Sequence, residues 1–281
     1  MTDAITTYEP DNCLKKGYSQ IFREIGGEIR KNKWLIYQLF RRDFFTIYKQ
    51  SLFGLLWAFI VPIVSVGAFI VLNQSGLFNV GSVDVPYPVY ALLGLAFWQL
   101  FSTGLIASSN SLVQAGSMIS KINFSKKALV IAAMGKTLVA FLIQLALALV
   151  SFAFFGVIPN VAILLTPILV LPLVLATLGL GFVLSLLNVV IRDIGNLLSI
   201  GMTFLLFLTP VMYAAPTSGI LGQVTLLNPL YYLVSVPRDL ALTGATAGWL
   251  GFLVSSALSV VVFMVCIVAF HLTETRLAER I

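Results

Sequence analysis

Six long stretches of mostly apolar residues constrain the fold of this 281-residue chain more than any other feature. They cover approximately residues 52–72, 88–113, 128–157, 161–191, 194–214 and 248–272. A helix of about 20 apolar residues spans the hydrocarbon core of a bilayer. Only 10% of the residues are charged, whereas a soluble domain has about 25%. We therefore predict an all-α integral membrane protein with six transmembrane helices, and we exclude a soluble enzyme, a disordered chain and a free nucleic-acid-binding protein.

The basic residues predict the orientation of the spans. Sixteen of the seventeen Lys and Arg residues lie on one side of the predicted membrane domain, and Arg238 is the only one on the other side. Cytoplasmic loops of membrane proteins carry an excess of Lys and Arg. We expect both termini in the cytoplasm, a polar N-terminal arm at residues 1–30, and one membrane domain at residues 31–281.

The sequence indicates no energy source within the chain. None of the eleven acidic residues lies inside a predicted span, although ion-coupled transporters normally keep an ionisable group there. Gly135-Lys136-Thr137 resembles the end of a phosphate-binding loop, but Val130 replaces the upstream glycine that such a loop requires. No nucleophile–base set or metal-ligand spacing stands out. We expect no enzyme activity, metal or cofactor in this chain, and channel and scaffold functions stay open at this point.

Three further segments are apolar without being ordinary spans. Residues 32–51 combine basic and aromatic residues at helical spacing, which predicts an amphipathic interface helix that anchors the first span or also contacts a partner. Residues 114–127 are predicted either to dock a short amphipathic helix in another protein or to form a linker on the bilayer. Residues 214–247 are too apolar for a solvated loop and too rich in Pro and Gly to cross the membrane. We predict two short re-entrant helices there, which line a pathway or cap it.

Several short motifs follow one another in a specific order on this layout. They are Arg42-Asp43-Phe44 and Tyr48-Lys49-Gln50-Ser51 before Trp57, Arg192-Asp193-Ile194 between spans four and five, Thr209-Pro210-Val211-Met212-Tyr213 at the end of span five, and Asn228-Pro229-Leu230 ahead of Arg238. Together they resemble the permease subunit of type-2 ABC exporters, in the polysaccharide and polyol-phosphate export group. The resemblance covers nearly the whole chain after about residue 30.

The resemblance implies a multi-pass permease of the cytoplasmic membrane. It implies a second copy of the chain and two cytoplasmic ABC ATPase subunits as partners, with ATP and Mg bound by those subunits. The implied activity is the export of a lipid-linked polysaccharide, such as O-antigen or a capsule-like glycan, through a channel at the homodimer interface. The alternatives are a teichoic-acid or drug exporter of the same fold and, in another class, a membrane-embedded glycan-processing enzyme.

Aromatic side chains are the candidates to line that channel, since their faces contact sugar C–H groups without fixed hydrogen bonds. The candidates are Trp57, Phe97, Trp98, Phe101, Tyr213, Tyr231 and Tyr232. The alternative is that they anchor the protein at the membrane interfaces. Arg238 could meet a pyrophosphate or an anionic sugar, and it could equally pair with Asp239 or orient lipid headgroups.

The resemblance also implies contacts with the ATPase and positions of structural importance. The predicted coupling residues are Arg42 and Asp43 in the interface helix and Met118, Ile119, Lys121, Ile122 and Phe124 in the 114–127 loop. The predicted structural positions are Arg192, Asp193, Pro210, Asn228 and Pro229.

Overall fold

The computed structural model describes residues 18–49, 56–75, 85–116, 125–215 and 218–277, and within these ranges the secondary structure is helical, with no strand. The helices are α1 (Tyr18–Lys31), α2 (Lys33–Lys49), α3 (Trp57–Gln74), α4 (Tyr87–Gln114), α5 (Lys126–Phe154), α6 (Leu171–Val190), α7 (Ile194–Leu208), α8 (Gly219–Leu227), α9 (Pro229–Thr243) and α10 (Trp249–Leu277). A 3-10 helix at Val161–Leu165 and one α-helical turn at Thr166–Leu169 lead into α6. The all-α prediction is confirmed for the described residues.

Four helical segments are long and apolar enough to cross a membrane: Tyr87–Gln114, Lys126–Phe154, Val161–Val190 and Trp249–Glu274. The pair formed by α8 and α9 is bent by 85°, and it adds a fifth crossing if the pair is counted as one broken span. These segments support a multi-pass membrane protein. The described residues thus give four or five candidate spans, where the apolar stretches predicted six.

The predicted first and fifth spans correspond to the shorter helices α3 and α7. The fifth stretch was predicted to run to residue 214, but α7 ends at Leu208. The cause is Pro210, because a residue that precedes proline is disfavoured in helical conformation, and Thr209 is extended with φ −109° and ψ 120°. The first stretch was predicted to begin at residue 52, which lies outside the described residues.

Helix α4 lies at the centre of the bundle. In its most apolar stretch 83% of the residues are buried, compared with 33% in Lys126–Phe154, 28% in Val161–Val190 and 22% in Trp249–Glu274. Glycines allow α6 to approach its neighbours closely. A Cβ on Gly181 would lie 2.6 Å from the Cβ of Ser108 in α4, and a Cβ on Gly179 would lie 2.7 Å from the Cα of Phe263 in α10. Small residues commonly permit such backbone approach between membrane helices.

The N-terminal region, predicted from the sequence only as a polar arm, contains a helix. In α1, Ile21, Ile25 and Ile29 recur every four residues and therefore lie on one face of the helix. Ile21 and Ile25 are buried in an apolar cluster that also contains Leu39 of α2 and Phe270 of α10. This cluster lies where α5 begins and α10 ends, and we call that end of the bundle the basic end.

The segment between α7 and α10 contains two helices, as predicted for residues 214–247. Pro229 occupies the first turn of α9, where its missing N–H costs no helical hydrogen bond. Gly244 ends α9 with a left-handed φ of 76°, a conformation that favours glycine. The bend between α8 and α9 falls at Asn228.

Candidate functional site

The turn that follows α7 is held by the side chain of Arg238, which is only 3% exposed. Its Nη1 donates to the carbonyl oxygens of Pro210 at 3.2 Å and Val211 at 3.1 Å. Its Nε donates to Asp239 Oδ1 at 2.9 Å, and its Cζ lies 4.0 Å from the ring centroid of Tyr90. Arginine suits this position, since a planar guanidinium can hydrogen-bond and stack on a ring at once.

The Tyr90 hydroxyl donates in turn to the carbonyl oxygen of Tyr213 at 3.1 Å. Of the alternatives that the sequence left open for Arg238, the pair with Asp239 is therefore present in the structure. A contact of Arg238 with an anionic substrate stays a prediction.

The structure brings two of the sequence motifs together beside this turn. Asn228 Nδ2 donates to Thr209 Oγ1 at 2.9 Å, and Asn228 Oδ1 accepts from the backbone N–H of Leu230 at 3.0 Å. Asn228 therefore caps the N-terminus of α9 while it binds the end of α7. Thr209, Pro210, Asn228 and Pro229 form one hydrogen-bonded corner, although the sequence separates the two motifs by 19 positions.

The seven predicted channel aromatics fall into separate groups. Phe97, Trp98 and Phe101 are buried in the core around α4, where the ring centroids of Phe97 and Phe141 are 5.4 Å apart. Tyr213 follows α7, and Tyr231 and Tyr232 lie edge to face in the first turn of α9 with centroids 5.0 Å apart. Trp57 begins α3 and is 48% exposed. A role of all seven in binding glycan stays a prediction.

The predicted turn between α6 and α7 depends on an asparagine that was not among the predicted site residues. Asn188 Nδ2 donates to the Ser109 carbonyl oxygen at 3.1 Å and to Asn110 Oδ1 at 2.9 Å. Its Oδ1 accepts from the backbone N–H of Gly195 at 3.1 Å. This side chain thus fixes the ends of α4, α6 and α7 together. Arg192 and Asp193 are exposed at the turn itself.

Part of the predicted ATPase-coupling set can be placed. Arg42 Nε and Nη2 each lie 2.8 Å from Asp43 Oδ1 on α2, where both side chains remain partly exposed. Met118, Ile119, Lys121, Ile122 and Phe124 lie outside the described residues. The flanks of that loop are described: Ala115 and Ala128 are both buried in the apolar cluster of the basic end.

A charged cluster lies immediately beside these flanks. The side chain of Lys127 is 0% exposed, and its Nζ donates to Glu28 Oε2 at 2.7 Å and to Glu274 Oε1. Lys126 Nζ donates to the backbone oxygen of Glu274 at 2.6 Å. His271 completes the cluster, with Nδ1 3.3 Å from Glu274 Oε1 and Nε2 3.9 Å from Glu24 Oε2.

The electrostatics of Glu28 follow from this arrangement. Burial by itself raises the pKa of the Glu28 carboxyl, but hydrogen bonds with Lys127 and Ser125 and the positive charge of Lys127 outweigh it. The pKa is therefore held below its ordinary value of 4.5. Glu28 is the anion that balances the buried lysine.

The ligand atoms of Glu28, His271 and Glu274 lie within 4.8 Å of one another, a spacing that could hold a metal ion. The Lys127 ammonium already bonds both carboxylates. A metal cation would have to displace this lysine from both carboxylates and leave its buried charge without a partner, which is costly. The geometry therefore favours an ion-pair network.

The sequence did not indicate this cluster, because its members come from three distant elements. One available signal was the spacing of His271 and Glu274, which places them on adjacent turns of one helix. The other was the apolar repeat of α1, which predicts that Glu24 and Glu28 belong to a packed helix. Neither signal identifies Lys127 as the partner.

Comparison with known proteins places this chain in a family. The family model described as "ABC-2 type transporter" matches residues 35–242, which is more than half of the chain. The chain is 27% identical over 215 residues to the O-antigen export system permease protein RfbA of Myxococcus xanthus, with 74% of this chain and 80% of that protein covered. It is 24% identical over 213 residues to a permease of the same name from Klebsiella pneumoniae, with 75% and 81% covered.

Proposed function

Because the chain belongs to the ABC-2 type transporter family, we propose that it is the permease subunit of an ATP-driven exporter of lipid-linked polysaccharide. The family prediction made from the sequence motifs is confirmed. Relatives in this family are transport subunits and not enzymes, and membership implies association with an ABC ATPase partner. The proposed cargo is an O-antigen or a capsule-like glycan on a lipid carrier.

The single observation that carries this proposal is the extent of the similarity. Curated permeases named for O-antigen export align with about three quarters of this chain, and the family model covers α3 to α9 together with most of α2. The similarity therefore extends along the membrane domain, beyond any short local match.

The proposed orientation of the chain in the membrane follows from the distribution of its basic residues. Sixteen of seventeen basic residues lie on one side of the spans predicted from the sequence, and Lys126 and Lys127 at the start of α5 assign the basic end to that side. We place this end in the cytoplasm. The 114–127 loop and α2 then face the ATPase subunits, which bind ATP and Mg. The proposed location is the cytoplasmic membrane with both termini inside, and α3 and α7 count as the remaining two of six spans.

Two exposed helices support a channel between two copies of the chain. In α7, all of whose residues the structure describes, none is buried, and α3 also exposes much of its apolar surface. Ser199 and Thr203 lie one turn apart on the exposed side of α7 and donate to backbone oxygens of their own helix. Small residues such as Ser and Thr are common where membrane helices pack together, so this side of α7 is the proposed contact with the second copy.

The proposed channel requires residues that let a polymer slide. Trp57 at the start of α3 presents a half-exposed ring that can contact sugar C–H groups. The tyrosines around Arg238 are the proposed aromatic contacts at the other end of the channel. A teichoic-acid or drug exporter of the same fold is the alternative within transport, and a glycan-processing enzyme is the alternative in another class.

The proposal is tested in sealed proteoliposomes that contain the permease with its co-purified ATPase. A polyprenyl-diphosphate-linked polysaccharide supplied on the ATPase side should cross only with ATP and Mg, and the permease alone should neither hydrolyse ATP nor move the polymer. A permease that exports unaided on an ion gradient contradicts the proposal. In cells that lack the chain, loss of surface polysaccharide with unchanged drug susceptibility separates glycan export from drug export.

A further inference from the structure

We propose that Lys127 is a positioning residue that fastens the start of α5 to α1 and to the end of α10. These three elements then move as one unit when the ATPase displaces residues 114–127. The inference rests on the proposed function, which supplies the ATPase and the displacement.

Lys127 at the start of α5 contacts both α1 and α10 directly. Its buried ammonium bonds Glu28 of α1 and Glu274 of α10, which lie 99 and 147 positions away in the chain. Lys126, the neighbouring residue, bonds the backbone of Glu274. Two consecutive lysines thus attach the beginning of α5 to the same turn of α10.

Burial makes this attachment specific. Removing one partner of a buried ion pair leaves an uncompensated charge, which is strongly destabilising. An alternative arrangement of the three elements would separate Lys127 from its carboxylates and would meet that cost. The apolar contacts around Phe270, whose ring centroid lies 5.9 Å from Lys127 Nζ, have no comparable directionality.

The charged cluster lies next to the segment that includes the predicted ATPase contacts. Only Ser125 and Lys126 separate Lys127 from residues 117–124, which include the predicted ATPase contacts. A displacement of that segment therefore reaches Lys126 and Lys127 before it reaches any later part of α5. Through Glu274 it reaches α10, which packs along α6 at the close approach of Gly179 and Phe263. Coupling of this kind requires contiguous rigid elements.

Spin-label distances test the fastening directly. Cys13 and Cys266 are replaced by Ser, and labels are placed at exposed positions 30 on α1 and 273 on α10 in the permease–ATPase complex. The distance is measured without nucleotide and with ATP plus vanadate. The compared chains are the wild type, Lys127→Met, Lys127→Arg and the triple variant Lys127→Met/Glu28→Gln/Glu274→Gln. Lys33→Met, at an exposed lysine of α2, is the matched control.

The triple variant removes all three charges together, so it keeps a folded chain to examine even where Lys127→Met alone does not accumulate. We expect one narrow distance in the wild type, in Lys127→Arg and in the control, unchanged by nucleotide. We expect a broadened, nucleotide-dependent distance in the triple variant. ATP hydrolysis should persist in the triple variant while export falls by about fivefold or more, the loss of a typical coupling free energy.

The inference is overturned if the triple variant keeps the narrow distance and exports like the wild type, or if the wild-type distance itself changes with nucleotide. Failure of the proposed function gives a different result. In that case the wild-type complex exports no polysaccharide, while the nucleotide-free distances still show whether Lys127 fastens α1 to α10.

Discussion

The guanidinium of Arg238 lies on the ring of Tyr90, with 4.0 Å between Cζ and the ring centroid, and it donates to two carbonyl oxygens of the turn after α7. Backbone that is not helical at membrane depth must find its hydrogen bonds inside the protein. Arg238 supplies these donors for Pro210 and Val211, where α7 has stopped. It does so without an unpaired charge, because Asp239 accepts from its Nε.

Replacing Arg238 should therefore destabilise the protein. Arg238→Gln leaves Asp239 and two buried carbonyl groups without their donor, and we expect a loss of about 3–5 kcal/mol in the free energy of unfolding. Arg192→Gln, at an exposed arginine, should change it by less than about 0.5 kcal/mol. Thermal unfolding in detergent measures both. Normal stability with lost export in Arg238→Gln would instead favour contact with an anionic substrate.

The Asn228–Thr209 hydrogen bond should couple the end of α7 to the start of α9. Asn228→Ala removes the cap of α9 and should cost about 1 kcal/mol from capping, with an additional loss from the bond to Thr209 Oγ1. A double-mutant cycle with Thr209→Val measures that second part, which we expect at about 0.5 kcal/mol or more. Strict additivity of the two variants would show that the bond contributes nothing.

Acid should weaken the basic end through Glu28. A carboxyl whose pKa is lowered in the folded state stabilises the fold above its ordinary pKa, and this contribution is lost as the pH falls below 4.5 through the lowered value. The unfolding temperature of the wild type should therefore fall in that range. Glu28→Gln should show a shallower fall than the wild type, and Asp193→Asn, at an exposed carboxyl, should show the wild-type fall. Identical pH profiles for wild type and Glu28→Gln would contradict this assignment.

Trp57 and Phe97 should respond differently to truncation. Trp57→Ala should slow polysaccharide export more than it lowers the amount of protein in the membrane, because its ring is half-exposed. Phe97 packs in the core against Phe141, so Phe97→Ala should lower stability by about 3–5 kcal/mol. Export per permease and membrane abundance are measured side by side. Parallel losses in Trp57→Ala would favour an anchor at the membrane interface.

The sequence predicts the long spans because each is a continuous apolar run, and α4, α5, α10 and the segment Val161–Val190 that ends with α6 lie within about five residues of the expected bounds. The early end of α7 could have been predicted as well, since proline disfavours helix at the residue before it. The helix α1 could also have been predicted, because its isoleucines recur every four residues.

The contacts of Lys127, and those of Arg238 with the turn after α7, were beyond prediction from one sequence. Glu28 stands 99 positions from Lys127, and no local pattern indicates which acid of the chain approaches which base. The partners of Arg238 in the turn are backbone oxygens, which every residue carries. Only the fold determines which of them meet a guanidinium.

The shortness of α7 has a consequence for the lipid around it. Its 15 residues rise about 22 Å, whereas the hydrocarbon core of a bilayer is about 30 Å thick. Where α7 meets lipid, the bilayer must become locally thinner, or residues that flank the helix must extend its apolar length. A thinned patch of this kind shortens the path that the polar head of a lipid carrier has to travel between the leaflets.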